Sequence, residues 1–199
     1  MSPRTEESNK RIREEQKERI LNAAMTVFAH NGYSETKMSE IAAAAQVSYG
    51  LAYHYFANKE AIFTALLQRT LKGALDLMQY ARVQPGTPWE RLRWLTAEML
   101  RGARDEPEYE MVVLQALTSS AVPEETRKMV LGESRSVHEA LKLLIIDGQV
   151  SGEVVAEDPE LLATAWEWCI QGMVFDMSYQ GYASARLPGV EVVLRLLKA

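Results

Sequence analysis

The stretch from Thr36 to Phe56 constrains the fold of this chain most, because it divides into two short helices separated by a tight break. An apolar stripe at helical spacing marks the first helix and consists of Met38, Ile41, Ala42 and Ala45. We expect the hydroxyl groups of Thr36 and Ser39 to cap the start of this helix. Val47 is an apolar residue in the break, and Ser48 is a good N-cap for the second helix.

The second helix is unusually aromatic for a small protein interior, with four aromatic residues and a histidine around Gly50: Tyr49, Tyr53, His54, Tyr55 and Phe56. Tyr49 and Tyr53 share a face that Leu51 does not, so these side chains cannot all point inward. Outward tyrosines on the second of two helices predict a helix-turn-helix whose second helix enters the major groove of DNA. The missing Cβ of Gly50 would allow a close approach to DNA. The alternative from these residues alone is a surface helical hairpin.

The flanking residues favour the DNA-binding interpretation. An Ile-x-x-Ala-Ala-x-x-x-Phe helix begins at Ile20 and ends at Gly32-Tyr33. Further matching motifs are Ile41-Ala42, Val47-Ser48, Tyr53-x-Tyr55-Phe56 and Lys59-Glu60. Together they resemble the DNA-binding domain of the TetR/AcrR (tetracycline-repressor) family of bacterial transcription regulators, from about Arg19 to Leu67.

This resemblance implies an all-α protein of about nine helices in two domains. Residues 1–59 would form a three-helix helix-turn-helix domain that binds double-stranded DNA, with residues 1–10 as a mobile tail. Residues 60–199 would form a helical domain for ligand binding and dimerisation. The implied function is a repressor that binds a palindromic operator as a homodimer and is released by a small, mainly apolar effector. An activator of the same fold and an all-helical adaptor without operator binding are the alternatives.

The DNA-binding candidates fall into two groups. Tyr49, Gly50 and Tyr53 match the positions that meet base edges in the family. The remaining candidates are Ser48, the N-cap, and residues placed for phosphate contacts, which set register without reading sequence: Thr36, Lys37, Ser39, Tyr55 and Lys59. The recognition helix lacks Arg, Asn and Gln, the usual bidentate readers of guanine and adenine. Readout would therefore depend on tyrosine contacts, thymine methyl groups, water and DNA shape.

Beyond Phe56 the pattern predicts helices throughout. We expect a long helix over Lys59–Ala81, a break at Gln84–Pro88, and final helices over Glu160–Tyr182 and Pro188–Ala199. The residues from Val150 to Val155 are the only β-like run.

Dimerisation is predicted for the last two helices by the resemblance and by the two apolar faces of Glu160–Tyr182. One face holds Trp166, Ile170, Met173, Val174 and Met177, and the other Ala165, Trp168, Gly172, Phe175 and Tyr179. A helix that is apolar nearly all round must be buried on both sides, by its own core and by a partner subunit. The candidates for the dimer interface are Trp168, Gly172, Phe175, Tyr179 and Val193.

Adaptable apolar side chains in the second domain suit a pocket for an effector between helices. The candidates for this ligand pocket are Trp94, Met99, Tyr109, Trp166, Met173 and Met177. Polar contacts could come from helix positions that the sequence does not orient: Glu98, Gln115, His138, Glu167 and Asp176.

Charge and composition limit the other function classes. The net charge is −5, but residues 1–59 hold eight Lys and Arg against seven Asp and Glu, so the acidic excess lies outside the proposed DNA-binding domain. One cysteine, Cys169, excludes an internal disulfide and fits a reducing compartment. The N-terminus lacks an apolar signal region, so we expect a cytoplasmic protein without a membrane partner. No nucleophile elbow, P-loop or metal-ligand spacing is present, so no enzyme, cofactor or metal site is expected.

Overall fold

The computed structural model describes residues 6–180 and 188–199, with side chains for residues 7–176 and 188–199. Nine helices lie in these ranges: α1 (Glu6–Glu35), α2 (Met38–Ala44), α3 (Tyr49–Tyr55), α4 (Lys59–Arg82), α5 (Pro88–Asp105), α6 (Glu108–Thr118), α7 (Glu124–Val150), α8 (Pro159–Gln180) and α9 (Val190–Leu194). The all-α prediction is therefore confirmed. No helix in the described ranges is both long and apolar enough to cross a membrane.

Local chemistry explains where several helices begin and end. Gly32 interrupts the helical backbone of α1 with φ +78°, in the left-handed region that glycine enters without strain. The hydroxyl of Ser48 accepts the Leu51 N–H over 3.1 Å and caps α3. The Asn58 side chain accepts the Ala61 N–H over 2.8 Å and caps α4. The break at Gly32 and the Ser48 cap were predicted from the sequence and are confirmed.

The buried apolar residues form two clusters, and α4 contributes to both. The first cluster joins α1, α2 and α3 to the N-terminal half of α4 through Phe28, Ile41 and Phe63, all fully buried. It extends into α6 and α7 through Val112 and Val130. The second cluster joins the C-terminal half of α4 to α5, α7, α8 and α9. Helix α4 therefore connects the helix-turn-helix to the remaining helices through a continuous apolar face.

Two helix predictions were wrong in extent. Residues 6–10 were expected in a mobile tail but belong to α1. The final helix was expected to run from Pro188 to Ala199, whereas α9 covers only Val190–Leu194, capped by Gly189. The chain then turns, and Val155 donates its N–H to the Leu197 carbonyl over 2.9 Å. The β-like run forms an isolated antiparallel bridge between Val154 and Lys198.

Candidate DNA-binding helix and ligand cavity

The turn between α2 and α3 is compact and held from α1. Gln46 has φ +53° and allows the chain to reverse within three residues. The guanidinium of Arg19 donates to the Gln46 carbonyl over 2.9 Å. Val47 packs partly buried against the first apolar cluster. This turn fixes the direction of α3 relative to α2.

The outward face of α3 carries the residues that the sequence assigned to base contacts. Tyr49 and Tyr53 are 55% and 42% exposed although both are large aromatic residues. Their rings meet edge to face with centroids 4.8 Å apart, and the Tyr49 hydroxyl donates to the Tyr53 hydroxyl over 3.2 Å. This hydrogen bond is the main reason that the pKa of Tyr53 is raised. The two side chains form a preorganised aromatic pair that faces away from the core.

Gly50 lies between these tyrosines and is itself exposed. No heavy atom lies within 4 Å of the position that a Cβ would occupy there. Packing within the chain therefore does not require glycine at this position.

His54 was overlooked as a DNA-contact candidate. It is exposed on α3 and follows Gly50 by one helical turn, and its ring lies edge to face against Tyr55 with centroids 5.1 Å apart. Its helical spacing relative to Gly50 was the signal that could have identified it. Lys37, Ser39 and Ser48 are exposed as expected, and the Lys37 N–H donates to the Glu40 carboxylate over 2.9 Å.

Three phosphate-contact candidates hold the fold together instead of lying free on its surface. Thr36 is 1% exposed, and its hydroxyl donates to the Gly32 carbonyl over 2.7 Å, so it neither caps α2 nor is available to a phosphate. The Lys59 ammonium donates to the carbonyls of Tyr33, Ser34 and Thr36 over 2.8, 2.8 and 3.0 Å. Tyr55 is half-buried against the first apolar cluster.

A cavity of about 120 Å³ lies between α4, α5, α6, α7 and α8, where a ligand pocket was expected. Its lining is mainly apolar, and five of its residues come from the second apolar cluster or pack against it: Met78, Met99, Val137, Trp166 and Ile170. The Trp166 N–H donates to the Thr96 hydroxyl over 3.0 Å, and Thr96 donates to the Leu92 carbonyl over 2.7 Å. This buried chain of hydrogen bonds fixes the indole in the cavity wall.

The pocket candidates divide between this cavity and other places. Met99 and Trp166 line the cavity. Trp94 instead packs edge to face on Tyr80, with centroids 5.6 Å apart, and Tyr109 is 37% exposed. Met173 is buried in the second apolar cluster outside the cavity lining. The side chain of Met177 lies outside the described residues.

The polar candidates divide in the same way. Glu167 lines the cavity, whereas Glu98 forms an ion pair with Arg101 and Asp176 is exposed. The Gln115 amide donates to the carbonyls of Phe28 and Ala29 over 3.0 and 3.3 Å, so it joins α6 to α1.

The remaining polar candidate, His138, lies directly behind the cavity wall. Its Nδ1 is 3.0 Å from a Glu167 carboxylate oxygen, and its Nε2 is 3.0 Å from a Glu160 oxygen. Burial alone lowers the pKa of His138, but the hydrogen bonds and negative charges of Glu167 and Glu160 outweigh burial and raise it.

One cavity residue was not identified from the sequence. Glu110 lies in the first turn of α6 and lines the cavity together with Glu167. Burial, together with the negative charge of Glu167, raises the pKa of Glu110. The pattern of α6 gave no sign that this glutamate points inward, because Glu108 and Glu110 both occupy the first turn, where acidic residues stabilise any helix.

The dimer candidates lie mainly on an exposed apolar stripe of α8. Trp168 and Phe175 are 69% and 61% exposed, and Gly172 is exposed between them. The opposite face, which holds Trp166, Ile170, Met173 and Val174, is buried as predicted. Val193 was assigned wrongly, because it is 3% exposed within the second apolar cluster, and Val192 is the exposed valine of α9. The Tyr179 side chain lies outside the described part of the chain.

Two short helices joined by a tight turn, with an exposed second helix, define a helix-turn-helix DNA-binding protein. Residues 20–66 match the family described as bacterial regulatory proteins, tetR family. This part of the chain is therefore a TetR-type DNA-binding domain, and YhgD, which resembles most of the chain, is also named as a transcriptional regulator.

Three similar proteins show how far the likeness extends. The uncharacterized HTH-type transcriptional regulator YhgD of Bacillus subtilis is 28% identical over 169 residues, which cover 83% of this chain and 86% of that protein. The HTH-type transcriptional repressor KstR of Mycolicibacterium smegmatis is 27% identical over 108 residues, or 54% of this chain, and the match spans about half, 51%, of KstR. The transcriptional regulator FadR from Bacillus subtilis, in complex with stearoyl-CoA, is 25% identical with a TM-score of 0.74 over 90% of this chain and 96% of that one.

Proposed function

We propose that this regulator is a repressor that binds a palindromic operator as a homodimer and releases it when a small effector binds. The observation that carries this proposal is the exposed aromatic pair of Tyr49 and Tyr53 beside Gly50 on α3. Two adjacent, exposed tyrosines offer aromatic faces and hydroxyls that can pack against a partner and hydrogen-bond with it. The repressor name of KstR supports the direction of control.

Homodimerisation would give the recognition helices their spacing. The exposed stripe on α8 extends from Leu161 through Trp168 to Phe175, and these three residues are 61–69% exposed. A contiguous apolar surface of this kind marks an interaction site. A second copy of the chain packed on this stripe by two-fold symmetry would cover it and present two copies of α3 to two half-sites.

We propose that the boundary between the two functional domains lies between residues 59 and 60. Residues 1–59 would read DNA, and residues 60–199 would bind the effector and the partner subunit. Helix α4 spans both tasks, because Lys59 at its start is bonded to the end of α1 and Thr70, Leu71, Ala74 and Met78 further along it line the cavity.

A second connection runs through α6. Glu110 and Val113 of α6 line the cavity, and Gln115, half a turn further on, donates to the α1 carbonyls of Phe28 and Ala29. An effector that pushes α6 or α4 would therefore act on α1, the helix that holds the turn through Arg19. A hundredfold loss of DNA affinity requires a coupling free energy of about 2.7 kcal/mol.

The test is selection of bound sequences from a random DNA pool with the purified full-length protein at a stated, moderate salt concentration. We expect enrichment of a palindrome whose half-sites lie at least one helical turn apart. The selected duplex then serves as the probe for effector release. A folded, dimeric protein that enriches no sequence, even after any co-purified ligand is removed by unfolding and refolding, would contradict the proposal.

A further inference from the structure

The cavity places two carboxylates, those of Glu110 and Glu167, in an otherwise largely apolar wall. No Lys or Arg is among the described residues that line it. Glu167 has a partner in His138, whose other ring nitrogen lies beside Glu160. Within the described part of the chain, the Glu110 carboxylate has no hydrogen-bond donor or ion-pair partner. The cavity therefore carries negative charge that the described residues leave without a counter-charge.

The rest of the wall fits a compact apolar body. Apolar contact comes from Leu71, Met78, Met99, Val113, Val137, Trp166 and Ile170. Tryptophan is the aromatic side chain that attracts cations most strongly, and the hydrogen bond to Thr96 holds this indole in place. A cavity of about 120 Å³ is close in size to an engineered cavity of about 150 Å³ that binds benzene. The ligand body is therefore of about single-ring size.

Polar groups near the carboxylates offer further contacts. The hydroxyls of Thr70 and Ser134 and the amide of Gln171 line the same cavity. The Thr70 hydroxyl is buried and has no hydrogen-bond partner in the described residues. A buried hydroxyl that lacks a partner costs stability unless a ligand or water supplies one.

We propose that the effector is a small organic cation, an amine or quaternary ammonium on a compact apolar body, with its charge beside Glu110 and Glu167. This inference rests on the proposed function, because it names the ligand class of the same effector site. A cation supplies the counter-charge that Glu110 lacks, whereas a carboxylate or phosphate would meet two like charges without a neighbouring Lys or Arg. We therefore do not expect this protein to bind stearoyl-CoA, the ligand in the FadR structure.

The experiment is calorimetric titration of the full-length protein with two matched pairs of probes. The pairs are choline with dimethylbutanol, in which carbon replaces the nitrogen, and benzylamine with benzyl alcohol. Each probe is also titrated into the Glu110→Gln variant in the absence of DNA. This substitution keeps the side-chain size and removes the charge. Glu108→Gln is the matched control, because it makes the same change two residues away on α6, outside the cavity lining.

At least one cation is expected to bind more tightly than its neutral counterpart, and Glu110→Gln should weaken that binding about tenfold or more. Glu108→Gln should leave it unchanged. The assignment is overturned if the neutral probes bind equally well, if Glu110→Gln leaves cation binding intact, or if no cation binds.

An assay of DNA release distinguishes failure of this inference from failure of the proposed function. Titration of a bound cation into the protein–operator complex should release the DNA. Operator binding that is released only by neutral or anionic compounds would refute the cation and leave the repressor in place. Failure of operator selection would refute the repressor whatever the calorimetry shows.

Discussion

Lys59 and Tyr33 are joined twice, because the Lys59 ammonium donates to the Tyr33 carbonyl over 2.8 Å and lies 4.9 Å from the centroid of the Tyr33 ring. Ser34 and Thr36 supply two more carbonyl acceptors. The positive charge thus lies against carbonyls in the last turn of α1 and just beyond it, where a helix end carries negative partial charge. One side chain fastens the start of α4 to the end of α1.

Replacing this lysine should therefore affect stability first. We expect Lys59→Met to lower the free energy of unfolding by about 2 kcal/mol, because three carbonyls lose a charged donor. Urea unfolding followed by circular dichroism measures this change. The control, Lys37→Met, removes an exposed cation and should change stability by less than about 0.5 kcal/mol. If the two variants are equally stable, the Lys59 contacts contribute little to folding.

The Lys37→Met variant should also differ from the parent in DNA binding. Lys37→Met should weaken operator binding and reduce the slope of log affinity against log salt by about 0.9, the value for one lost phosphate contact. Fluorescence anisotropy across a salt series gives this slope. An unchanged slope would exclude Lys37 from the phosphate contacts.

Tyr53→Ala should abolish specific operator binding while leaving the fold intact. The side chain is 42% exposed, so its loss opens no core cavity, but it removes the aromatic partner of Tyr49. Operator affinity by anisotropy and the melting temperature measure the two effects. Tyr80→Ala is the comparison, since Tyr80 is 56% exposed near the far end of α4 and should leave DNA binding unchanged. Normal operator affinity in Tyr53→Ala would refute the assignment of Tyr53 to base contacts.

Glu110→Gln should stabilise the protein at neutral pH. The folded-state pKa of Glu110 is raised above its ordinary value of 4.5, so the folded state binds more protons and stability falls as pH rises through the interval between the two values. The penalty is complete above the folded pKa and absent below the ordinary one. At pH 7 the variant should melt a few degrees higher, which corresponds to about 1 kcal/mol for this chain length. A gain that persists unchanged in acid would contradict this explanation.

His138→Gln should have the opposite pH dependence. The pKa of His138 is raised above 6.5 in the folded state, so its contribution to stability is complete below that value and is lost as pH rises through the folded pKa. Glutamine keeps a donor for Glu167 but cannot take up the charge. The variant should be less stable than the parent in mild acid and equally stable in alkali, measured by thermal unfolding. His30→Gln, on the exposed side of α1, should show no such difference.

Trp168→Glu should convert the proposed homodimer to monomer without unfolding it. The side chain is 69% exposed in the single chain, so the charge is tolerated there but not beneath a partner subunit. Sedimentation velocity reports the mass. Val150→Glu, at a position 84% exposed on α7, should leave the mass unchanged. If the parent protein is itself a monomer, the proposed α8 interface is refuted, and not only the role of Trp168 in it.

The sequence predicted what depends on local spacing. The Ser48 cap and the two faces of α8 follow from neighbouring residues, and all are observed. Lys59 could not be assigned, because its acceptors lie 23–26 positions earlier in the chain and meet it only after folding. Val193 was placed on the wrong face because α9 begins at Val190 and is too short for its pattern to define a direction.

Trp166 gives this protein a built-in optical reporter. The indole is 1% exposed, lines the cavity and donates its N–H to Thr96, so its emission should be blue-shifted relative to that of Trp168, which is 69% exposed. A ligand entering the cavity changes the surroundings of the first fluorophore, and a partner subunit on α8 would change those of the second. In a variant that keeps only Trp166 and Trp168 of the four tryptophans, quenching by a solute in water separates the buried indole from the exposed one and can follow occupancy and assembly.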